Sequence, residues 1–261
     1  MSGGHSKHEF ALYVPMLTAA LAGVRHSSSF FIDDALLVHR IQSILRLEPG
    51  DEIRLFDRRV QALCVVQAVN KKKVIFTVGE KKENSCVLPV ITFCLPLLKK
   101  EDLEAALYSL VELGATAVKL VITDKSRQLG SQERESKEFE RLERIMIAAA
   151  EQSKQFAFPL LSEPISFQTL CKLFASHEPS VARIFFDPAG DDLFTVMTDL
   201  RTNRPAEILL FVGPEGDLTE EEKGALIKAG VRFCKLTPTV LRAMQATAVG
   251  MGVVRSVIIG S

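Results

Sequence analysis

The stretch ILLFVGPEGDLTEEE, residues 208–222, holds a strand, a turn and a helix start in one short segment. Its residues up to Val212 are all apolar and include β-branched and aromatic types, which is typical of a strand buried on both faces. Gly213-Pro214-Glu215-Gly216 predicts a type I turn, because Pro favours the second position and Gly the last. Thr219 and Glu222 have the spacing of a capping box, which predicts a helix start. Ligands of open α/β sheets bind where strands end, so this loop is a candidate site.

A second loop of unusual composition, LTPTVLR at residues 236–242, follows farther along the chain. Any connection between a strand and a helix can carry Gly and Pro, so the first loop alone is more typical of ordinary architecture than of a site. Glu215, however, is an acidic residue in a turn that does not require one. Two such loops at one edge of a sheet predict a pocket.

Residues 85–261 alternate predicted strands and helices. The strands are expected at 90–95, 117–123, 183–186, 208–212 and 233–236, and the helices at 100–113, 138–152, 166–176, 193–200, 219–229 and from 241 onward. This alternation predicts an α/β domain with a mostly parallel sheet that is covered on both faces.

Residues 25–84 predict a small barrel of short strands, at 29–32, 52–56, 62–69 and 73–78. Asp34 is expected to cap a helix over residues 35–45. The polar, unpatterned residues 81–85 suggest a linker between the two domains. Residues 1–24 are expected to be an extension of the chain, or else Met16 lies closer to the translation start.

Composition narrows the class of protein. Lys plus Arg and Asp plus Glu number 32 each, but residues 1–84 hold 12 basic and 9 acidic residues, which favours this part as the side that faces a phosphate backbone. Five scattered cysteines without a C-x-x-C pair indicate reduced thiols in a cytoplasmic protein, with no metal site. The longest apolar stretch, residues 87–98, is too short and too interrupted by Pro to cross a membrane.

VGPEGDLTEEE (212–222) followed by KLTPTVLRAMQATA (235–248) resembles the paired cofactor loops of the knotted SPOUT methyltransferases. The resemblance is to the RsmE-type enzymes, which methylate N3 of a uridine in the decoding region of 16S ribosomal RNA. It runs from about Arg25 to the C-terminus. It implies a SPOUT α/β trefoil-knot domain at 85–261, a PUA-like RNA-binding β-barrel at 25–84, S-adenosyl-L-methionine as cofactor, and a homodimer that acts on the small ribosomal subunit.

The resemblance also implies site residues. Arg242 is the catalytic candidate, because uridine N3 must lose a proton and a guanidinium can stabilise the resulting negative charge. An ion pair at a helix start is the alternative role for Arg242. The cofactor-binding residues are expected to be Gly213, Pro214, Glu215, Gly216, Leu236, Leu241, Arg242 and Ala246. The RNA-binding residues are expected to be Arg25, His39, Arg40, Arg46, Arg58, residues 71–73 and Lys125. Each basic residue, taken singly, is equally typical of a solvated surface.

The chain departs from the family pattern beside both loops. Asp217 stands where GPEGG has its last Gly, and Ala243-Met244-Gln245 replaces Thr-Glu-Thr after Arg242. Two alternatives therefore stay open: a catalytically impaired RNA-binding homologue that acts in small-subunit assembly, or a SPOUT methyltransferase with a changed target, such as a ribose 2′-hydroxyl. Neither G-x-G-x-x-G nor a P-loop follows a strand, which argues against a dinucleotide or P-loop enzyme.

Overall fold

The computed structural model describes residues 9–127, 132–176, 178 and 180–259. The chain divides into two compact units. The first contains the described residues up to Ser85 together with Lys154–Ala157, and the second contains Cys86–Ser153 and the residues from Phe158 onward. Each unit has its own sheet and its own cluster of buried apolar side chains.

The first unit is built on a five-stranded sheet in the order β1-β3-β4-β5-β2. Its strands are β1 (Phe10–Tyr13), β2 (Ser29–Ile32), β3 (Glu52–Phe56), β4 (Val60–Val69) and β5 (Val74–Glu83). The pairs β2–β5, β3–β4 and β4–β5 are antiparallel, whereas β1 lies parallel to β3. Alternate residues of β4 and β5 are buried, as the period of a strand requires. The strands predicted in this region are confirmed, and β1 was not predicted.

Residues 9–24 are part of this unit through both β1 and the short helix α1 (Leu17–Ala20). Leu12 and Leu17 are fully buried in the core. The carboxylate of Asp57, in the turn between β3 and β4, accepts hydrogen bonds from the backbone N–H of Thr18 at 2.6 Å and from its hydroxyl at 2.9 Å. This contact fastens α1 to the sheet.

The helix predicted at 35–45 begins as α2 (Ala35–His39) and widens into one π-helical turn, Arg40–Ile44. The predicted cap is confirmed, because Asp34 accepts hydrogen bonds from the backbone N–H groups of Leu36 and Leu37. The wider turn is marked by a hydrogen bond from the N–H of Leu45 to the carbonyl of Arg40.

The linker prediction is wrong for residues 81–83, which continue β5. They pair with Val60, Gln61 and Ala62 of β4. Lys81 also donates from its ammonium to the carbonyl of Val24. The polar composition of this stretch reflects the exposed end of a long hairpin, which sequence pattern alone does not distinguish from a linker.

The second unit is built on a six-stranded sheet in the order β11-β9-β10-β6-β7-β8, and all of its pairs are parallel. Its strands are β6 (Val90–Pro96), β7 (Ala117–Ile122), β8 (Leu161–Ser166), β9 (Ala182–Asp192), β10 (Glu207–Val212) and β11 (Arg232–Lys235). The predicted parallel sheet is confirmed. All residues of β10 after Glu207 are buried, as expected of an internal strand.

The helices of the second unit are α3 (Lys100–Glu112), α4 (Gln132–Ser153), α5 (Phe167–Ser176), α6 (Leu193–Asn203), α7 (Glu220–Lys228) and α8 (Ala243–Ile259). Gly114 follows α3 in the left-handed conformation predicted for it, with φ 77°. No helix in the described ranges is long and apolar enough to cross a membrane. Burial raises the pKa of the Cys64 and Cys94 thiols to about 12, whereas Cys86 is exposed.

The last helix, α8, is held against the rest of the unit by two close contacts. A Cβ added at Gly250 would lie 2.4 Å from the ring of Phe186 in β9, so only Gly permits this approach. Arg255, which is 6% exposed, donates to the carbonyls of Val87, Pro89 and Gly114. The helix also packs on α3, α6 and β10. Its passage through a trefoil knot stays a prediction.

Candidate functional site

The candidate site lies at one edge of the six-stranded sheet. All six strands are parallel, so the loops that follow β6, β7, β9, β10 and β11 meet at their carboxyl ends. We call residues 213–218, after β10, the first loop, and residues 236–242, after β11, the second loop. The strand β9 lies between β10 and β11.

The turn in the first loop lies one residue later than predicted. The N–H of Asp217 donates to the carbonyl of Pro214 at 2.9 Å, so the turn spans residues 214–217 and not 213–216. Asp217 adopts the left-handed conformation, with φ 59°. Its own carboxylate accepts a hydrogen bond from the N–H of Leu218 at 2.7 Å, a local bond that favours this conformation in Asp.

Glu215 ties the first loop to the neighbouring helix. Its carboxylate accepts a hydrogen bond from the N–H of Lys99, the N-cap residue of α3, at 2.9 Å. A carboxylate at this end of a helix is favoured by the helix dipole. The acidic residue that the turn itself does not require therefore has a structural contact across the sheet edge.

Glu222 fastens the other end of the first loop. The predicted capping box is confirmed, because the N–H of Glu222 donates to the Thr219 hydroxyl at 3.1 Å and its carboxylate accepts from the N–H of Thr219 at 2.9 Å. The second carboxylate oxygen accepts from the N–H of Asp124, after β7, at 3.1 Å. Glu222 is only 6% exposed, and its carboxylate binds backbone N–H groups of two separate segments.

Lys125 lies directly beside the first loop. A Cβ added at Gly216 would be 3.2 Å from Cβ of Lys125 and 3.3 Å from its Cδ. The aliphatic stem of Lys125 therefore covers this glycine, while the residue as a whole is exposed. The position brings a cation to the edge of the first loop.

The second loop leads into α8. Leu236 and Leu241 are half-buried, and Arg242 is exposed immediately before the helix. Ala246 lies in the first turn, where its N–H donates to the carbonyl of Arg242 at 2.8 Å. Within the described ranges Arg242 forms no ion pair, so the alternative role at the helix start finds no partner there.

The contact of Gly250 with Phe186 brings α8 near the first loop. Phe186 pairs with Val212, the residue before Gly213. The middle of α8 therefore lies beside the end of the strand that leads into the first loop. In this way the structure brings both predicted loops, Arg242 and Ala246 to the same edge of one sheet.

Comparison with known proteins agrees with this arrangement. A family model described as an RNA methyltransferase domain matches residues 86–255, and one described as an RNA methyltransferase PUA domain matches residues 39–79. The chain belongs to the RNA methyltransferase family. The two matches confirm the resemblance inferred from the paired loops.

Two curated relatives of this RNA methyltransferase carry the same name. Ribosomal RNA small subunit methyltransferase E of Synechocystis sp. is 28% identical over 226 residues, which cover 85% of this chain and 71% of the relative. The Bacillus subtilis protein of that name is 29% identical over 213 residues, which cover 80% and 83%. The crystal structure of the Neisseria gonorrhoeae protein of that name, bound to S-adenosyl methionine, has a TM-score of 0.78 at 21% identity and covers 95% of this chain and 98% of that chain. This last likeness is one of fold.

The residues predicted to bind RNA are distributed over both units of the RNA methyltransferase. His39 and Arg40 lie together where α2 widens, and Arg46 follows in a left-handed conformation with φ 53°. Arg25 is exposed between α1 and β2, and Arg58 is half-buried between β3 and β4. Lys125 belongs to the second unit.

An exposed aromatic residue of the first unit was missed. Phe31 is 55% exposed on β2, and the ammonium of Lys73 lies 5.5 Å from its ring centroid. The strand's alternation could have identified it, since Phe31 points away from the side of Ile32, which is buried. An aromatic face beside basic residues is a common feature of surfaces that bind single-stranded RNA.

Two clefts open on the second unit. The first, of about 580 Å³, lies at the edge of the two loops and is lined by the ends of β7 and β8 and the starts of α5 and α7. The second, of about 610 Å³, lies at the amino ends of β9, β10 and β11 and includes Arg183, Arg204 and Arg232. No residue predicted to bind the cofactor lines either of these clefts. The candidate site therefore rests on the position and contacts of the two loops.

Proposed function

We propose that this RNA methyltransferase transfers a methyl group from S-adenosyl-L-methionine to N3 of a uridine in the decoding region of 16S ribosomal RNA. The observation that carries the proposal is the pair of loops at one edge of a parallel sheet, the first fastened by Glu215 and Glu222. The names of the Synechocystis and Bacillus relatives support the small-subunit target.

The cofactor is proposed to lie between the first and second loops. In residues 213–216 only Pro214 and Glu215 carry side chains beyond hydrogen, Pro214 is buried, and Glu215 is hydrogen-bonded to Lys99. Backbone groups are therefore left to meet a ligand, as a cradle for adenine and ribose requires. The proposed contacts are Gly213, Pro214, Glu215, Gly216, Leu236, Leu241, Arg242 and Ala246.

When bound between the two loops, S-adenosyl-L-methionine would supply an electrophilic methyl group, and its sulfur would leave as a neutral thioether as the new bond to N3 forms. The protein contributes alignment of the uridine with that methyl group. Arg242 contributes charge stabilisation, because N3 must lose its proton and negative charge then spreads to the carbonyl oxygens of the base. An exposed guanidinium without an ion pair in the described ranges suits this role, since it is charged and keeps its donors for the substrate.

The replacements after Arg242 favour a second candidate, a changed RNA target. Met244 is half-buried and Gln245 is exposed in the first turn of α8, beside the proposed catalytic residue. The family pattern has a carboxylate and a hydroxyl at these positions. Substrate contacts made there differ in this chain, while a cofactor held through the backbone does not depend on them. A homologue without catalysis that acts in small-subunit assembly is the third possibility.

The two parts of the chain are proposed to have separate roles. Residues 25–84 are proposed as the RNA-binding domain, with Arg25, His39, Arg40, Arg46 and Arg58, and residues 85–261 as the catalytic domain, with Lys125 beside the first loop. Residues 1–24 are proposed as an extension relative to the family, and its described part, residues 9–24, folds with the first unit. The small ribosomal subunit is the proposed partner, and a cytoplasmic homodimer is the proposed form.

The experiment is transfer of radiolabelled methyl groups from S-adenosyl-L-methionine to isolated small subunits. Gly216→Val is expected to lose transfer and to bind the cofactor at least about tenfold more weakly, because the added side chain displaces the stem of Lys125 and crowds the first loop. The matched control is Gly224→Val in α7, where an added Cβ meets nothing within 4 Å. Equal cofactor affinity in both variants would move the site away from the first loop.

A further inference from the structure

The side chain of Lys223 joins three segments at the edge of the candidate site. Lys223 lies in the first half of α7, and its ammonium is 2.9 Å from a carboxylate oxygen of Asp187 and 2.8 Å from one of Asp217. The side chain of Asp187 is 3% exposed and that of Lys223 is 18% exposed. Asp187 belongs to β9 and Asp217 to the first loop, so one cation connects a strand, a loop and a helix.

Asp217 uses both of its carboxylate oxygens, one inside the first loop and one toward α7. Asp217 lies in the left-handed region, which is uncommon for residues other than Gly although Asp adopts it more readily than most. One carboxylate oxygen accepts from the N–H of Leu218, and the other reaches Lys223. The first oxygen also lies 3.2 Å from the place where a Cβ of Gly213 would be. The carboxylate therefore folds back over Gly213, which closes the first loop upon itself.

The two carboxylates of Asp187 and Asp217 are what stabilises the charge of Lys223 at this position. The N-terminal half of a helix is an unfavourable place for a cation. Burial by itself lowers the pKa of Lys223, but Asp187 and Asp217 outweigh this effect and the pKa is raised. The side chain therefore stays charged at neutral pH and holds both carboxylates.

We propose that Lys223 is a positioning residue that, through Asp187 and Asp217, holds the first loop in the conformation that presents the backbone of Gly213 and Gly216 to the cofactor. The proposal rests on the cofactor site proposed above. Asp217, which stands where the family pattern has Gly, then has a role as well. The contact of its carboxylate with Lys223 restricts the conformations of the first loop. Glu215 and Glu222 fasten the loop to α3 and to the loop after β7, and Lys223 fastens it to β9.

The test uses Lys223→Met, which keeps the aliphatic stem and removes the charge, and Lys223→Arg as the conservative variant. Lys228→Met, an exposed position in the last turn of the same helix, is the matched control. Because Lys223→Met removes the cation that pairs with the buried Asp187, the double variant Asp187→Asn, Lys223→Met is measured as well. Thermal unfolding establishes that each variant is folded.

Hydrogen exchange of the backbone amides in 213–219 is measured on full-length protein without cofactor, and affinity for S-adenosyl-L-methionine is measured by calorimetry. We expect Lys223→Met and the double variant to exchange faster in 213–219 only, and to bind the cofactor at least about tenfold more weakly, with a raised KM for the cofactor and an unchanged kcat. Lys223→Arg should restore affinity, and Lys228→Met should match the wild type.

Unchanged exchange in 213–219 in folded Lys223→Met and in the double variant would overturn the proposal, and so would faster exchange with unchanged affinity. Different results would contradict the proposed cofactor binding and the proposed role of Lys223. If the wild-type protein does not bind S-adenosyl-L-methionine, the proposed function fails. The exchange measurement, which needs no cofactor, then decides whether Lys223 orders the loop.

Discussion

Asp57 shows how a single carboxylate can hold a segment of chain in place. Besides its two bonds from Thr18, it accepts hydrogen bonds from the N–H groups of Arg59 at 2.8 Å and Val60 at 2.9 Å. Burial by itself raises the pKa of Asp57, but these donors outweigh it and the pKa lies below the usual 3.8. The ionised form is therefore the one that stabilises the first unit.

Because the pKa of Asp57 is lower in the folded state, its contribution to stability is present above about pH 4 and is lost as pH falls through the folded pKa. Asp57→Asn is expected to lower the free energy of unfolding by about 1–3 kcal/mol at pH 7. The difference from wild type should shrink below pH 4. Urea unfolding between pH 3 and 7 checks this, with the exposed Asp33→Asn as control. A difference that stays constant down to pH 3 would contradict the stated cause.

At the scale of elements, the contact of α8 with β9 depends on one missing side chain. Gly250 lies against the ring of Phe186. Gly252 is two residues farther along the same helix, and a Cβ added there would have Leu113 as its nearest neighbour, at 3.8 Å. Each glycine is flanked in sequence by one Val and one Met, but the space available to an added Cβ differs between them. They form a matched pair for testing how closely α8 packs on the sheet.

Gly250→Ala is expected to destabilise the second unit by about 1–3 kcal/mol, because the ring of Phe186 must move in a packed interior. Gly252→Ala is expected to be neutral or to stabilise by up to about 1 kcal/mol, because Ala favours helix. Denaturant unfolding followed by circular dichroism checks both values. Equal effects of the two substitutions would mean that Gly250 does not make the close contact.

The elements that sequence could predict are those whose pattern is local. The buried run of β10 and the capping box of Thr219 and Glu222 need no distant partner to be recognised. The strand β8 was missed because LSEPIS mixes Ser, Glu and Pro, which an edge strand tolerates. Arg255 was not recognised as a buried residue, because the three carbonyls that it binds come from distant parts of the chain.

The candidate site divides in the same way. Its two loops could be located from Gly, Pro and the strands before them, and the sheet brings them to one edge. The turn was misplaced by one residue because Asp217, and not Gly216, takes the last position of the turn, where its carboxylate contacts Lys223 of a separate element, α7. The contacts of Glu215 with Lys99 and of Glu222 with Asp124 were likewise beyond the reach of local pattern.

At the scale of the whole molecule, the described residues before Met16 contribute a strand and ion pairs to the first unit. Glu9 pairs with Arg54 at 2.6 Å and with Lys154 at 2.8 Å, and these cations lower the pKa of its carboxyl group. Leu12 of β1 is fully buried. A chain that begins at Met16 loses both contacts and leaves one edge of β3 unpaired.

A variant that begins at Met16 is expected to lose at least as much stability as truncation of one buried Leu, about 2–5 kcal/mol. The loss should appear in the first unit and leave hydrogen exchange of β10 unchanged. Leu12→Ala in the full-length chain is the companion variant and should act in the same direction. If the shortened protein unfolds at the same urea concentration as the full chain, β1 contributes nothing to stability.

The measurement that tests the proposed reaction most directly is nucleoside mass spectrometry of 16S ribosomal RNA from host cells with and without this gene. We expect 3-methyluridine to disappear when the gene is removed. The wild-type gene should restore it, and Arg242→Ala should not. An unchanged level of 3-methyluridine in cells that lack the gene would contradict the account.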